Sequence, residues 1–193
     1  MSRSLISSLK STFDRRHVGT IAFRLVARCD SFPLFEATQH PDFNRFLLWP
    51  APQDARDVTV QVDKMIRENS LDRAVLLSLC DRLTGTWIGI VRLQAYRDGL
   101  EFGLYLHPNS WSNGVVASAG RAVVETLIES VGDLPIYIRV RLGNVKMEKV
   151  CAFYKFEKVD RVTDTHLTDG PVELDLYQVR KDLWVPYTDI VTY

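Results

Sequence analysis

The chain has no excess of charge of either sign, because its 193 residues include 24 Lys and Arg against 24 Asp and Glu. A protein that binds nucleic acid or an anionic membrane through its overall electrostatic field carries a clear positive excess. The composition excludes that mode of binding, so we expect neither nucleic-acid nor membrane partners. An anionic ligand must instead be held by local geometry.

Cysteine and long apolar runs are scarce as well. The three cysteines, Cys29, Cys80 and Cys151, lie far apart and lack metal-ligand spacing, so we expect no metal site and a reduced, cytoplasmic chain. No apolar run approaches the ~20 residues of a membrane span, and the first residues lack the apolar stretch of a signal peptide. There is no Walker loop, zinc spacing or GxSxG elbow, which removes those enzyme classes.

What the sequence does contain is enough apolar content for one core. Its 46% hydrophobic and 25% charged residues fit a single globular domain. No low-complexity linker or internal repeat divides it. We therefore predict a lead-in over residues 1–17, one domain over 18–180 and a tail over 181–193, with an amphipathic helix from Leu5 to Phe13 as one reading of the lead-in.

The alternation of apolar patterns predicts an α/β (α+β) fold with helices on the faces of a mixed sheet. The segment "RDG" at 97–99 is a hairpin signal, since glycine accepts positive φ, and it joins two antiparallel strands. A strand, helix and strand over 100–142 form a crossover unit, which makes 100–107 and 135–142 parallel. The other predicted elements are strands near 18–28, 74–81, 156–162 and 171–180 and helices near 53–68, 113–131 and 145–154.

The turn "SNGVVASAG" at 112–120 precedes the predicted 113–131 helix. The first amides of a helix have no internal partners and lie at the positive end of its dipole. A turn of small residues there can bind a phosphate without a basic side chain. Taken alone, the turn is better explained as an ordinary helix start, because one glycine before a helix is an unspecific signal.

The segments around this turn resemble the GNAT superfamily of acyl-CoA-dependent N-acyltransferases, and within it the branch of ribosomal-protein N-terminal alanine acetyltransferases. The resemblance covers about residues 20–180 and rests on "HPDFNRFLLWPAP", "LEFGLYLHPNSWSNGVVASAG" and "GNVKMEKVCAFYKFEKV". The matching positions are Glu101, Gly103, Pro108, Trp111, Gly114, Asn144 and Phe156. The sequence departs from the family pattern at Val116, where glycine or alanine is usual, and at Met147 and Cys151, where members carry serine or tyrosine.

The resemblance implies the GNAT fold, a mostly antiparallel central sheet with a splayed parallel pair and flanking helices. It also implies acetyl-CoA as cosubstrate, with its pantetheine arm in the splay and its diphosphate at the helix start. The implied cofactor-binding residues are Leu104, Tyr105, Leu106, Asn113, Gly114, Val115, Val116, Ala117 and Asn144.

The implied reaction is direct attack of a primary amine on a thioester, for which a carboxylate or ordered water accepts the amine proton. Glu101 is the candidate base because it matches the strand glutamate of the family; the alternative is an exposed strand residue or a sheet ion-pair partner. Tyr154 and Cys151, three residues apart on one helical face, are candidate proton donors to the leaving thiolate. A thiol with a pKa of about 8.5 also leaves readily without a dedicated acid.

These features predict an N-acetyltransferase whose acceptor is a protein N-terminus or a small molecule, with a homodimer as one expected assembly. The alternative from another class is a GNAT-fold binding or regulatory protein that has lost turnover, motivated by Val116, Met147 and Cys151. A third reading has the pocket hold a longer acyl-CoA. Nearby cations that could meet the adenosine 3′-phosphate, or that only alternate on the surface, are Arg139, Arg141, Lys146 and Lys149.

Overall fold

The structure is a computed structural model, and it describes residues 3–46, 49–111, 114–166 and 170–184. The α-helices are α1 Arg3–Phe13, α2 Ser31–Thr38, α3 Ala55–Ser70, α4 Val115–Val131 and α5 Val145–Phe153. The strands are β1 His17–Val18, β2 Ile21–Leu25, β3 Val75–Asp81, β4 Trp87–Tyr96, β5 Gly99–Leu106, β6 Ile136–Arg141, β7 Glu157–His166 and β8 Gly170–Gln178. They form one 8-stranded sheet in the order β1-β2-β3-β4-β5-β6-β8-β7.

Two apolar layers cover the two faces of this sheet. On β3, Val75, Leu77 and Leu79 belong to one buried cluster while Leu76 and Cys80 belong to the other. Successive side chains of a strand point to opposite faces, so this division follows from the strand itself. Helices α1, α4 and α5 pack into the first cluster and α2 and α3 into the second. The fold is therefore the mixed α/β arrangement with flanking helices that the sequence predicts.

Helix α1 is amphipathic and packs on the domain. Its buried residues Ile6, Leu9 and Phe13 recur at helical spacing, as expected for a helix with one apolar face. Phe13 meets Phe23 of β2 edge-on, with ring centres 5.2 Å apart. The amphipathic reading of the lead-in is thus confirmed, while the domain boundary after residue 17 stays a prediction. Within the described ranges, no helix is both long and apolar enough to cross a bilayer.

The predicted hairpin at 97–99 is present, but its glycine serves another purpose. Strands β4 and β5 pair antiparallel up to Tyr96 and Gly99. The positive φ of the turn, 49°, falls on Arg97 and not on Gly99, so the reason given for glycine was wrong. A Cβ at Gly99 would lie 2.2 Å from the carbonyl oxygen of Pro135. Glycine is required because β5 passes so close to the start of β6.

Strands β5 and β6 form the predicted parallel pair and then separate. Among the described residues they pair only at Leu100 with Ile136 and at Glu101 with Tyr137. Strand β5 nevertheless continues to Leu106, with β4 as its neighbour on the other side throughout. Beyond Glu101, the edge of β5 that faces β6 therefore has no strand partner. This is the splayed pair that the family resemblance implies.

Two element boundaries differ from the sequence-based expectation. The strand expected near 18–28 is split, because Gly19 has a φ of 58° and turns the chain between β1 and β2. The same strand ends early, at Leu25, since the buried carboxylate of Asp30 accepts a hydrogen bond from the amide of Ala27 (2.8 Å) and starts a helical turn there. Helix α4 begins at Val115.

Candidate active site

The open edge of β5 presents backbone hydrogen-bonding groups to the gap. The amide of His107 donates to the carbonyl of Ile88 on β4 (2.7 Å), so the Leu106 carbonyl of the same peptide points the other way. Alternate residues of a strand share a direction, and the polar groups of Leu104 and Leu106 consequently face the gap. The Tyr105 carbonyl instead lies against Gly89 of β4, so Tyr105 reaches the gap only through its side chain.

The start of α4 supplies a second set of backbone donors. Gly114 has a left-handed φ of 73°, which glycine adopts without steric cost. The first helical hydrogen bond runs from the Ser118 amide to the Gly114 carbonyl (2.9 Å), and the amides of residues 115–117 precede it. Such amides at the positive end of a helix can bind an anion. Asn113, also predicted to bind the cofactor, lies outside the described residues.

These two features share a cleft of about 350 Å³, which we term the α4 cleft. It is lined by Asp42, Phe43, Arg45, Phe46, Leu104, Tyr105, Leu106, Trp111, Val116, Gly143, Asn144, Val145, Lys146 and Met147. The side chain of Val116 is half-buried in this wall, where a smaller residue would leave more room. Asn144 begins α5, and its Oδ1 accepts a hydrogen bond from the Met147 amide (3.3 Å).

Trp111 defines one end of the α4 cleft. Its indole Nε1 donates to the Leu106 carbonyl (2.9 Å), so that acceptor of the open edge already has a donor. The ammonium group of Lys146 lies 4.8 Å from the centre of a Trp111 ring, which is cation–π distance. A ligand that lies along β5 can therefore hydrogen-bond to the amide and carbonyl of Leu104 and to the amide of Leu106. The ammonium group of Lys146 lies nearby.

A second cleft, of about 390 Å³, lies between α3 and the α3-facing side of β4, β5 and β6. We term it the arginine cleft, because Arg92, Arg139 and Arg141 line it. Phe46, Leu104, Tyr105, Asn144 and Met147 line both clefts. The two clefts therefore meet along β5. The predicted basic cluster is divided between them, with Arg139 and Arg141 in one and Lys146 in the other.

Glu101 lies on the floor of the arginine cleft in a polar network. Its side chain is buried, and the residue is 6% exposed. Arg139 Nε donates to Glu101 Oε1 (2.7 Å), and Gln94 Nε2 donates to Oε2 (2.9 Å). Arg139 also forms an ion pair with Asp164 of β7. Glu101 is thus an ion-pair partner as well as a cleft residue, and its role as base stays a prediction.

Gly103 keeps the floor of the arginine cleft open. It lies between Glu101 and Tyr105 on the same face of β5, since alternate residues of a strand share a face. A Cβ built at this position would have no protein atom within 4 Å. The space above Gly103 is therefore available to a substrate, directly beside the carboxylate of Glu101.

Comparison with known proteins identifies the family. Residues 21–157 match the family model described as an acetyltransferase (GNAT) domain. The chain belongs to the GNAT acetyltransferase family. No curated protein matches its sequence.

Solved structures with the same fold share little sequence with this GNAT chain. A GNAT-family acetyltransferase from Bacillus anthracis has a TM-score of 0.71 and 13% identity, covering 84% of this chain and 96% of its own. The Salmonella typhimurium acetyl transferase that modifies the N-terminal serine of ribosomal protein L7/L12 has a TM-score of 0.68 and 13% identity, over 83% and 95%. The microcin C7 self immunity acetyltransferase MccE, in complex with acetyl-CoA and AMP, has a TM-score of 0.70 and 15% identity, over 83% and 92%.

The two residues predicted as proton donors for this GNAT protein line neither cleft, although Tyr154 contacts the first turn of α4. The hydroxyl of Tyr154 donates to the Ala117 carbonyl (3.2 Å), and its ring stacks on Trp184 at 5.4 Å. Cys151 is fully buried, and burial raises the pKa of its thiol to about 12. Neither residue lines the α4 cleft or the arginine cleft. The structure does not bring them together with Glu101.

Sequence reasoning missed the side chain of Tyr105. It lines both clefts, and its hydroxyl lies 3.7 Å from the sulfur of Met65. Burial raises the pKa of this phenol well above its usual range, so it stays protonated at neutral pH. The period-2 pattern of β5 was the available signal, because it places Tyr105 on the same face as Glu101 and Gly103. In the described part of the chain, no three His, Cys, Asp or Glu side chains converge as they would around a metal ion.

Proposed function

We propose that this GNAT protein transfers an acetyl group from acetyl-CoA in the α4 cleft to a primary amine in the arginine cleft. The observation that carries the proposal is the unpaired edge of β5, which leads to the start of α4 at one end and to Glu101 at the other. Both clefts meet at Tyr105. Family membership and the acetyl-CoA complex of the similar MccE support this choice of cosubstrate.

The residues present fit acetyl-CoA. The Leu104 groups and the Leu106 amide are oriented to pair with the amides of an extended pantetheine arm, as a neighbouring strand would. Gly114 and the amides of 115–117 would hold the diphosphate, with Lys146 near enough to add a positive charge. Asn144 lies where the two clefts meet and would contact the end of the arm.

The reaction requires a neutral amine and a polarised carbonyl. Acetyl-CoA supplies a thioester whose carbonyl carbon the amine attacks, and the carbon–sulfur bond then breaks. We propose Glu101 as the acceptor of the amine proton. Arg139 and Gln94 hold it in position, and an ionised carboxylate has about four acceptor sites, so two remain. A backbone amide of the open β5 edge would polarise the thioester carbonyl.

We propose Tyr105 as the proton source for the departing thiolate. Its hydroxyl lies at the meeting point of the clefts, whereas Tyr154 is bonded to Ala117 and Cys151 is enclosed. Because burial raises the pKa of Tyr105 and so weakens it as an acid, it would act mainly as a hydrogen-bond donor to the thiolate. Tyr154 and Cys151 remain the alternatives predicted from the sequence. A thiol of pKa about 8.5 needs little assistance to leave, so this contribution is smaller than that of the base.

The acceptor proposed from the similar Salmonella enzyme is a protein N-terminus, with a small-molecule amine as the alternative. We further propose that the protein acts in the cytoplasm, since its three cysteines are free thiols, and a homodimer is the assembly proposed. These finer assignments rest on resemblance and on composition.

A second candidate function is an acyl-CoA-binding or regulatory protein without turnover. The observation that favours it is the side chain of Val116 in the wall of the α4 cleft, at the helix start where close approach of a diphosphate is needed. Under this proposal the ligand binds but no acetyl group is transferred.

One experiment separates these functions. Acetyl-CoA is titrated by calorimetry, and thiol release is then measured against a panel of amines and peptides. We expect binding and acceptor-dependent release. Binding without release for any acceptor would favour the second candidate, and absence of binding would reject both.

A further inference from the structure

We infer that the arginine cleft selects an amine that also carries a carboxylate, and that Arg92 binds this carboxylate. The inference rests on the proposed function, because it concerns the acceptor of the same reaction. It goes further by assigning a chemical class to that acceptor, namely an amino acid or a peptide with an acidic group near its amine.

Arg92 lies directly beside the open part of the cleft floor. It pairs with Gly103 in the register between β4 and β5, so its side chain rises next to the space that Gly103 leaves. No other side chain occupies that space, since a Cβ at Gly103 would have no atom within 4 Å. A ligand group above Gly103 would therefore have the side chain of Arg92 beside it on β4 and that of Glu101 beside it on β5.

The guanidinium of Arg92 is fixed but only partly used. Its Nε donates to Gln94 Oε1 (2.8 Å), and its Nη1 donates to Glu68 Oε2 (2.7 Å). Its Nη2 has no hydrogen-bond partner among the described residues, and the side chain is 39% exposed. Arginine carries five donors in a rigid fork that suits a carboxylate. The fork is held in place by two contacts and offers its remaining donors to the cleft.

The charges lining the cleft favour an anionic group. The charged lining residues are Lys64, Arg92, Glu101, Arg139, Arg141 and Asp164. Both of the acidic ones, Glu101 and Asp164, are bound by Arg139. Among the described residues Arg92 is ion-paired only with Glu68, through Nη1, so its Nη2 is available to an anionic group of the acceptor.

The spacing of Arg92 and Glu101 suits one small ligand with both charges. Glu101 pairs with Gln94, two residues from Arg92 on the same face, so the two positions are diagonal neighbours in the sheet. The amide of Gln94 bridges their side chains, because its Oε1 accepts from Arg92 Nε (2.8 Å) and its Nε2 donates to Glu101 Oε2 (2.9 Å). An amine directed at Glu101 and a carboxylate bound by Arg92 therefore require a separation of only a few bonds, as in a peptide that begins with glutamate.

The test measures thiol release from acetyl-CoA with two matched tetrapeptides that begin with glutamate or glutamine and are amidated at the C-terminus. Glycine and glycinamide serve as the free amino-acid pair, so that the peptide and amino-acid sources of the carboxylate are distinguished. We expect the wild-type protein to prefer the carboxylate-bearing member of at least one pair by about 10-fold or more, the usual range for a charge-assisted hydrogen bond.

Two variants separate binding from structure. Arg92→Gln removes the cation, whereas Glu68→Gln breaks the same ion pair and leaves the cation in place. We expect Arg92→Gln to lose the preference, with a fall of about 10- to 100-fold for the carboxylate-bearing acceptor, and Glu68→Gln to keep it. Equal rates for both members of each pair, or the same loss of preference in the two variants, would overturn the inference.

Failure of the proposed function has a different signature. If the wild-type protein releases no thiol with any acceptor, calorimetric titration of the two tetrapeptides into the acetyl-CoA-saturated protein decides the matter. Tighter binding of the glutamate peptide that is lost in Arg92→Gln would uphold the site without the reaction. Equal binding, or none, would reject it.

Discussion

The two clefts that meet along β5 recognise their ligands in different ways. The α4 cleft offers backbone groups, those of Leu104, Leu106 and the first turn of α4, which need no particular side chains. The arginine cleft is built from charged side chains held by one another, with Glu101 and Arg139 at its centre. A change of backbone conformation should therefore disable the first cleft, and a change of one side chain should disable the second.

The largest effect is expected from Gly114→Pro. Proline fixes φ near −65°, and Gly114 has a φ of 73°, so the start of α4 cannot keep its conformation. We expect acetyl-CoA binding to be lost by calorimetry. Gly114→Ala is the matched control, because its Cβ would meet no atom within 4 Å and it keeps the backbone amide, so only the left-handed backbone opposes it, at about 1 to 2 kcal/mol. Unchanged affinity in a folded Gly114→Pro protein would refute the phosphate site.

Removing the carboxylate of Glu101 from the arginine cleft should change turnover but not acetyl-CoA binding. We expect Glu101→Gln to lower kcat by about 10²- to 10⁴-fold, the usual contribution of a general base, with little change in acetyl-CoA affinity. The loss in kcat should become smaller as the pH approaches the pKa of the acceptor amine, because a larger fraction of the amine is then already neutral.

The control for Glu101→Gln is Asp164→Asn, which removes the other carboxylate bound to Arg139. A purely structural role for Glu101 would give both variants similar rates and the same pH profile.

Filling the space above Gly103 should separate the two clefts. We expect Gly103→Val to reduce kcat/KM for the acceptor by about 100-fold, since displacing a substrate by about 1 Å can cost that much. Acetyl-CoA affinity should be unchanged, because Gly103 lines only the arginine cleft. Gly103→Ala should have an intermediate effect. Loss of acetyl-CoA binding in Gly103→Val would show that the two ligands share that space.

A smaller effect is expected at the meeting point of the clefts. Tyr105→Phe should lower turnover by about 10-fold, less than is usual for an acid, because a thiolate is a good leaving group. Tyr154→Phe is the control, because it also removes a phenol hydroxyl, but from a residue that lines neither cleft. A larger loss in Tyr154→Phe would return the proton donor to Tyr154, the tyrosine predicted from its place on the Cys151 helical face.

The smallest effect is expected from Val116→Ala. Shortening this side chain widens the α4 cleft, and we expect acetyl-CoA to bind about fivefold more tightly, which corresponds to the lower end of the cost of overpacking, about 1 kcal/mol. Val115→Ala is the control, because Val115 does not line the cleft. Equal changes in the two variants would assign the effect to the helix and not to the cleft.

Much of the fold was predictable because it depends on local pattern. The β4–β5 hairpin and the parallel relation of β5 and β6 follow from period, turn and crossover rules. The helix start at Gly114 was also visible, since glycine before small apolar residues marks it. These features form the α4 cleft, so the sequence predicts the α4 cleft better than it predicts the arginine cleft.

The arginine cleft depends on contacts between residues far apart in the chain. Glu101 meets Arg139 across the start of the splay, and Arg92 meets Glu68 of α3. No local pattern specifies which of several arginines will face a given carboxylate. The assignment of Tyr154 relied on sequence spacing, whereas α5 turns its hydroxyl toward Ala117.

The close passage of Gly99 beside Pro135 has a consequence for affinity. The amide of Leu100 donates to the Pro135 carbonyl (2.9 Å), so β5 and β6 are joined firmly at one end and their divergence starts from a fixed point. A ligand that enters the gap does not need to separate two paired strands. The slot is preorganised, and little of the binding free energy is lost to rearranging the protein.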